Sequence, residues 1–151
     1  MEINVIKRFL KSKDWQFTEV KGKNIFVFGI SGKNGSFQCV AESEAESKFT
    51  FFSICGANTP PNRKEVMCEL LNSLNYELFT GNFEMDLDSG EIRFRNSIAF
   101  RNIEVSQELI EDMIMTTIVT MDNHLPAIMG FMFGGIGVKE ALELSKTFIN
   151  K

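Results

Sequence analysis

The sequence predicts a single α+β domain over residues 1–151, with an antiparallel sheet packed against helices. Three observations carry that prediction: four consecutive strand-like segments between Trp15 and Cys55, an alternating charged hairpin over 82–98, and a long run of apolar residues at helical spacing after Ser106. A chain of 151 residues is the usual size of one domain and can bury a core without disulfides or metal. Hydrophobic residues make up 44% and charged residues 24%, which is ordinary globular composition. The 15 phenylalanines are unusual, and most fall at strand-like positions, so they are core candidates.

Ile3, Ile6, Phe9 and Leu10 recur at three- and four-residue intervals, which predicts a short amphipathic helix over 3–12 that packs as a lid. WQFTEV, IFVFGI, SFQCVA and KFTFFSIC then read as strands, separated by KGKN, SGKNG and ESEAES. Asn34-Gly35 is a hairpin signal, because both residues tolerate positive φ. IFVFGI and FTFFSIC are apolar at nearly every position, which predicts a sheet covered on both faces in places.

Pro60-Pro61 closes this region. Asn62 with Glu65 three residues on resembles a capping box, and Val66, Met67, Leu70, Leu71 and Leu74 share the face of a helix ending near Asn75. In the next segment Phe83, Met85 and Leu87 alternate with Asn82, Glu84 and Asp86, and Ile92 and Phe94 alternate with Arg93 and Arg95. A turn centred on Ser89-Gly90 would set Asp86 opposite Arg93, Glu84 opposite Arg95 and Met85 opposite Phe94. Neither arginine should face the core.

Ser106 is the predicted N-cap of a long helix, with Val105 and Ile110 placed as a hydrophobic staple. Ile110, Ile114, Ile118, Met121, Leu125, Ile128 and Met132 form one apolar stripe, and Met115, Val119, Met129 and Phe133 form a second beside it. Pro126 should kink this helix, and Gly134-Gly135 with Gly137 should end it. A final helix over 138–149 carries Ala141, Leu142, Leu144 and Phe148.

The residues point away from catalysis, and no catalytic, cofactor-binding or metal-ligating residue is assigned. His124 stands alone as the one histidine, so multi-histidine metal sites cannot form within a subunit, and Cys39, Cys55 and Cys68 lack zinc-type spacing. His124 is expected at the proline kink, making an ordinary hydrogen bond. Gly29 to Gly35 superficially suggests a phosphate loop, but Val27 and Asn34 stand where Gly and Ser or Thr are needed and a strand follows, so a hairpin turn is the reading. Glu84, Asp86, Asp88 and Glu91 form an acidic cluster that Arg93 and Arg95 neutralise, with Asp88 as a turn-former.

A net charge of −4 offers no general attraction to nucleic acid or acidic membranes. Lys7, Arg8, Lys11, Lys13, Lys21 and Lys23 near the start read as a solvated basic face. No apolar leader is read at the N-terminus, and the longest run without charged or strongly polar residues, 125–138, is 14 residues against the roughly 20 of a membrane span. Together with three scattered cysteines, these features lead to an expected cytoplasmic location, with neither membrane nor nucleic acid as partner.

Leu74-Asn75, the stretch GNFEMDLDSGEIRFR from Gly81 to Arg95, and LPAIMGFMFGG from Leu125 to Gly135 resemble the YbjN family of bacterial proteins, well from about Pro60 to Leu142 and only in pattern before that. The resemblance implies a type III secretion chaperone-like fold with an α-β-β-β-α-β-β-α layout, from which the strand at Trp15 departs slightly. It also implies a regulatory role through protein–protein interaction, with no catalytic residue to carry over.

The functional expectation is a non-enzymatic, chaperone-like or regulatory module that binds a protein partner. A small-molecule sensor with a pocket between sheet and long helix is the alternative. Flexible thioethers suit adaptable surfaces, and the long helix holds Met113, Met115, Met121, Met129 and Met132, five of the chain's eight. They either fill core or serve an interface. Two stripes exceed what one sheet face covers, so Met115, Val119, Met129 and Phe133 are the candidate partner or homodimer surface. The rival cover is intramolecular, from the first or last helix.

Overall fold

The computed structural model describes residues 2–44 and 47–149. Its elements are α1 (Glu2–Ser12), β1 (Phe17–Glu19), β2 (Ile25–Ser31), β3 (Ser36–Glu44), β4 (Lys48–Asn58), a 3-10 turn (Pro61–Arg63), α2 (Lys64–Glu77), β5 (Asn82–Met85), β6 (Glu91–Ala99), α3 (Gln107–Phe133) and α4 (Val138–Ile149). The six strands form one antiparallel sheet in the order β1-β2-β3-β4-β6-β5. The predicted α+β class holds. The first strand is a three-residue edge piece. Ala45 and Glu46, in the predicted ESEAES turn, and the side chains of Ile3 and Phe148 lie outside the described residues.

Alternation sorts the sheet into two faces. Phe26, Phe28, Phe37, Phe49, Phe51 and Phe94 point to one face and are buried. There α3 lies along β4 and β6, α1 packs on α3 and β3, and α2 and α4 pack together beside α3 and β5. Ile6, Phe9 and Leu10 of α1 are buried, as a lid requires. Each large apolar side chain so buried is worth roughly 1.5 to 3 kcal/mol over leaving it in water.

The opposite face is not covered, which corrects the two-sided expectation. Val27, Val40, Phe52 and Ile54 lie there half-exposed. The pairing Val27↔Val40↔Phe52↔Arg95 runs across the sheet. The Arg93 guanidinium lies 4.4 Å from the Phe52 ring centroid, so a cation shields what a second layer of helices would have covered.

The β5–β6 hairpin keeps the predicted faces in a different register. Phe83 pairs with Phe94, Glu84 with Arg93 and Met85 with Ile92, a shift of two residues that preserves which side chains share a face. Asp86 causes the shift by leaving the ladder to organise a five-residue turn. Its Oδ1 accepts from the Asp88 N–H at 3.0 Å and its Oδ2 from the Ser89 hydroxyl at 3.0 Å, and its own N–H donates to Glu91 O at 2.9 Å. Gly90 takes φ 77°, and a Cβ there would lie 2.3 Å from Thr59 O. Leu87, expected on the apolar face, is carried out to solvent in this turn. Glu84 pairs with both Arg93 and Arg95, and neither arginine enters the core.

Two helix starts behave differently. Ser106 caps α3, its Oγ accepting from the Leu109 N–H at 3.1 Å. Asn62 forms no capping box, because Pro60-Pro61 drives a 3-10 turn first and α2 begins from Arg63 without a side-chain cap. Arg63 instead donates to Phe131 O at 2.7 Å and Ile136 O at 3.4 Å, and its guanidinium stacks 4.2 Å from the Phe131 ring centroid. It thereby satisfies carbonyls around the C-terminal end of α3, where a cation is favoured.

Candidate functional site

α3 presents both of its apolar stripes in full. Every member of the first, from Ile110 to Met132, is buried. Of the second, Met115 is half-buried against the core, whereas Val119, Met129 and Phe133 are 48%, 37% and 62% exposed. Of the five helix methionines, Met113, Met121 and Met132 are therefore core, and only Met129 reaches the surface as exposed.

The middle of the second stripe is occupied by the β2–β3 turn. Asp122 is buried, and its carboxylate accepts the backbone N–H groups of Lys33 at 3.0 Å and Asn34 at 2.9 Å. Pro126 has no N–H to give to the carbonyl four residues back, which is that of Asp122. Asn34 Nδ2 donates to this freed carbonyl at 3.1 Å. α3 runs through the proline without a break, and the carbonyl that the proline frees is a docking point for the turn. The turn itself closes by Gly32 N–H to Gly35 O at 2.8 Å, and Asn34 is not among the residues of positive φ. A Cβ on Gly32 would sit 2.2 Å from Asp122 Oδ1. The phosphate-loop look-alike therefore does present amides to an anion, and that anion is the chain's own carboxylate.

His124 donates from Nδ1 to Thr120 O at 2.7 Å, the ordinary bond expected of it, and meets Phe83 edge-on at 5.2 Å. A carbonyl only accepts, so Nδ1 carries the proton and Nε2 of the neutral ring is an acceptor. Burial pushes the imidazole below its ordinary value, with the Thr120 bond opposing. No cysteine adjoins it. Cys39 is buried against the Ser53 hydroxyl, and loss of solvent pushes its thiol up to about 12, far from an activated nucleophile. Among the described residues, no three His, Cys, Asp or Glu side chains gather as a metal site would require.

Side chains such as Phe51, Phe94, Ile114 and Met121 fill the middle of the interval between sheet and α3, and a hollow of about 280 Å³ remains between β6 and the first turns of α3, lined by Asn96, Ile98, Leu109 and Met113. A second cavity, of about 340 Å³, lies between α2, α3 and α4. Leu74, Leu78, Phe79 and Leu142 supply apolar wall, and His124 and Ser145 supply buried polar groups. Phe79 is fully exposed and Tyr76 nearly so. Neither belongs to a predicted apolar face, because both follow the predicted helix end. Their signal was an aromatic pair between a helix and a hairpin, with no apolar face left to join.

The profile of the YbjN family, described as "Putative bacterial sensory transduction regulator", matches residues 2–129. The chain belongs to the YbjN family. The match takes in α1 and the first strands, which the sequence likeness reached only in pattern, and stops before residues 130–135 of the quoted α3 motif. Among solved structures, "Crystal structure of YbjN, a putative transcription regulator from E. coli" is similar at 14% identity and TM-score 0.54, covering 82% of this chain and 92% of that one. At that identity the likeness shows the fold alone. No functionally curated protein is detectably similar to the chain. The family is thus one described as regulators, and among the described residues no helix is long and apolar enough to cross a membrane.

Proposed function

We propose that this YbjN-family chain is a non-enzymatic regulatory module in bacterial signalling or stress response that works in the cytoplasm by binding another protein. The observation that carries the reading is the second stripe of α3: Val119, Met129 and Phe133 stay at the surface among the described residues. Three large apolar side chains on one helix are a poor surface for a molecule that works alone. The stripe is split by the docked β2–β3 turn, so it offers two footholds and not one continuous seam. A second copy of the chain is the first partner to test, because the same surface would then cover itself. The net charge of −4, and the pairing of Arg93 and Arg95 with Glu84, weigh against nucleic acid as the partner.

The test is light scattering after gel filtration at micromolar concentration, with Val119→Glu and Phe133→Glu beside the wild type. A dimer mass that both substitutions reduce to a monomer, with helical content unchanged, supports a self-associating module. If the wild type is monomeric, a photo-crosslinking residue at position 133 in native cells should give adducts that the same residue at Lys21, an exposed loop position, does not. Equal labelling at both positions would defeat the reading.

A further inference from the structure

The cavity between α2, α3 and α4 holds two polar groups whose hydrogen bonding is incomplete. His124 is 3% exposed, its Nδ1 is committed to Thr120 O, and no other described residue reaches Nε2. Ser145 is 2% exposed, and its Oγ has no partner. A serine inside a helix ordinarily returns its hydroxyl to the carbonyl four residues back, as Ser73 does to Glu69 at 2.9 Å. Ser145 does not. A buried hydroxyl without a partner costs roughly 1 to 3 kcal/mol, and this one lines the same hollow as an imidazole nitrogen whose acceptor site is open.

The volume fits a molecule and not only a solvent site. About 340 Å³ falls at the lower end of ligand pockets, which run from about 300 to 1,000 Å³. A hollow of roughly 150 Å³ accommodates benzene, so this one takes about one to two rings. Its wall is apolar at Leu74, Leu78, Phe79 and Leu142. Glu77 and Lys146 stand on it with opposite charges, which leaves no preference for a net-charged guest. Phe79 lines the cavity while its ring is fully exposed, placed to stack on an aromatic guest.

We propose that this cavity binds a small, uncharged aromatic molecule of one or two rings, whose N–H or O–H donates to His124 Nε2. Ser145 supplies the second hydrogen bond, and the leucines supply the apolar contact. The site shares none of its lining residues with the exposed stripe of α3, so it stands or falls independently of that surface.

The chain's single histidine makes the test direct, since the protein gives one imidazole in a ¹H–¹⁵N correlation spectrum. The full chain is titrated with indole and, in parallel, with 1-methylindole, which has nearly the same shape and no N–H. Indole should move the Nε2 resonance saturably, and 1-methylindole should bind about tenfold more weakly, the usual size of one hydrogen bond to a buried acceptor. Leu142→Trp, which fills the cavity, should abolish the response, with the amide spectrum confirming that the variant is folded. Should that variant not fold, Ser145→Leu serves the same purpose. An imidazole signal that indole leaves unmoved would overturn the proposal. So would equal binding of the two indoles, or a response that survives in the filled cavity.

Discussion

The two hairpin turns, 32–35 between β2 and β3 and 86–90 between β5 and β6, meet the same difficulty in opposite ways. Each must satisfy backbone N–H groups that have left the sheet ladder. The second does so within itself: Asp86 accepts from Asp88 and Ser89, and the bonds from outside reach only its carbonyls, from Lys64 Nζ to Leu87 at 2.8 Å and Asp88 at 2.7 Å and from the Thr59 N–H to Gly90 at 2.8 Å. The first borrows. Its N–H groups and its Asn34 amide are satisfied by Asp122, 88 and 89 positions away in the chain. A self-sufficient turn should tolerate change elsewhere, whereas a borrowing one ties the sheet to the helix that lends.

That contrast can be broken most forcefully at Asp122. Asp122→Ala removes two charge-assisted bonds and strands two amides, and should cost about 2 to 4 kcal/mol in urea unfolding. A loss under 1 kcal/mol would mean that water replaces the carboxylate freely. Asn34→Ala should cost about 1 kcal/mol, and the cost should shrink when Pro126→Ala gives the Asp122 carbonyl back its helical donor. Additive effects in that double-mutant cycle would deny the pairing of Asn34 with the proline's freed acceptor.

Acid sharpens the comparison further, once the contribution of His124 is set apart. Its folded value lies below the ordinary 6.5. The unfolded chain therefore binds the proton first, and stability should fall as pH drops below about 6.5. His124→Gln should flatten that slope, and a slope left unchanged would place its origin elsewhere. Asp86 should have the smallest effect. The Asp88 and Ser89 bonds hold its carboxyl below the ordinary 3.8, so its contribution is present above 3.8 and is lost as pH falls through the lower folded value. Asp86→Ala should loosen the 86–90 turn in hydrogen exchange while leaving 32–35 as protected as before. Equal loosening of both turns would erase the distinction between them.

The same distinction explains how much was legible in the sequence. Strand alternation, the α3 stripes and the Ser106 cap depend on neighbours a few residues apart, and they read correctly. The β5–β6 faces were legible because alternation fixes parity, but the pairing was not, since it turned on whether Asp86 stayed in the ladder. Asn34-Gly35 announced a turn without announcing its lender. The apolar run of β4 suggested two covered faces because a phenylalanine under an arginine, as at Phe52, has the same letter as one under a helix. The exposed ends of the second stripe were foreseeable from its width, whereas the cavity was not, because its walls come from three helices whose relative placement no local pattern specifies.

Arg63 gives those three helices a mechanical character. At the head of α2 it grips the last turn of α3 through Phe131 and the approach to α4 through Ile136. The cavity is lined from the far end of α2 and from residues 142–146 of α4, roughly 10 to 20 Å along the helix axes from that grip. α2 is thus fastened at both ends, at its head by one guanidinium and at its tail by Asn75, which accepts from the Phe83 N–H at 2.7 Å and donates to Phe83 O at 3.0 Å, and the cavity opens beside that second fastening.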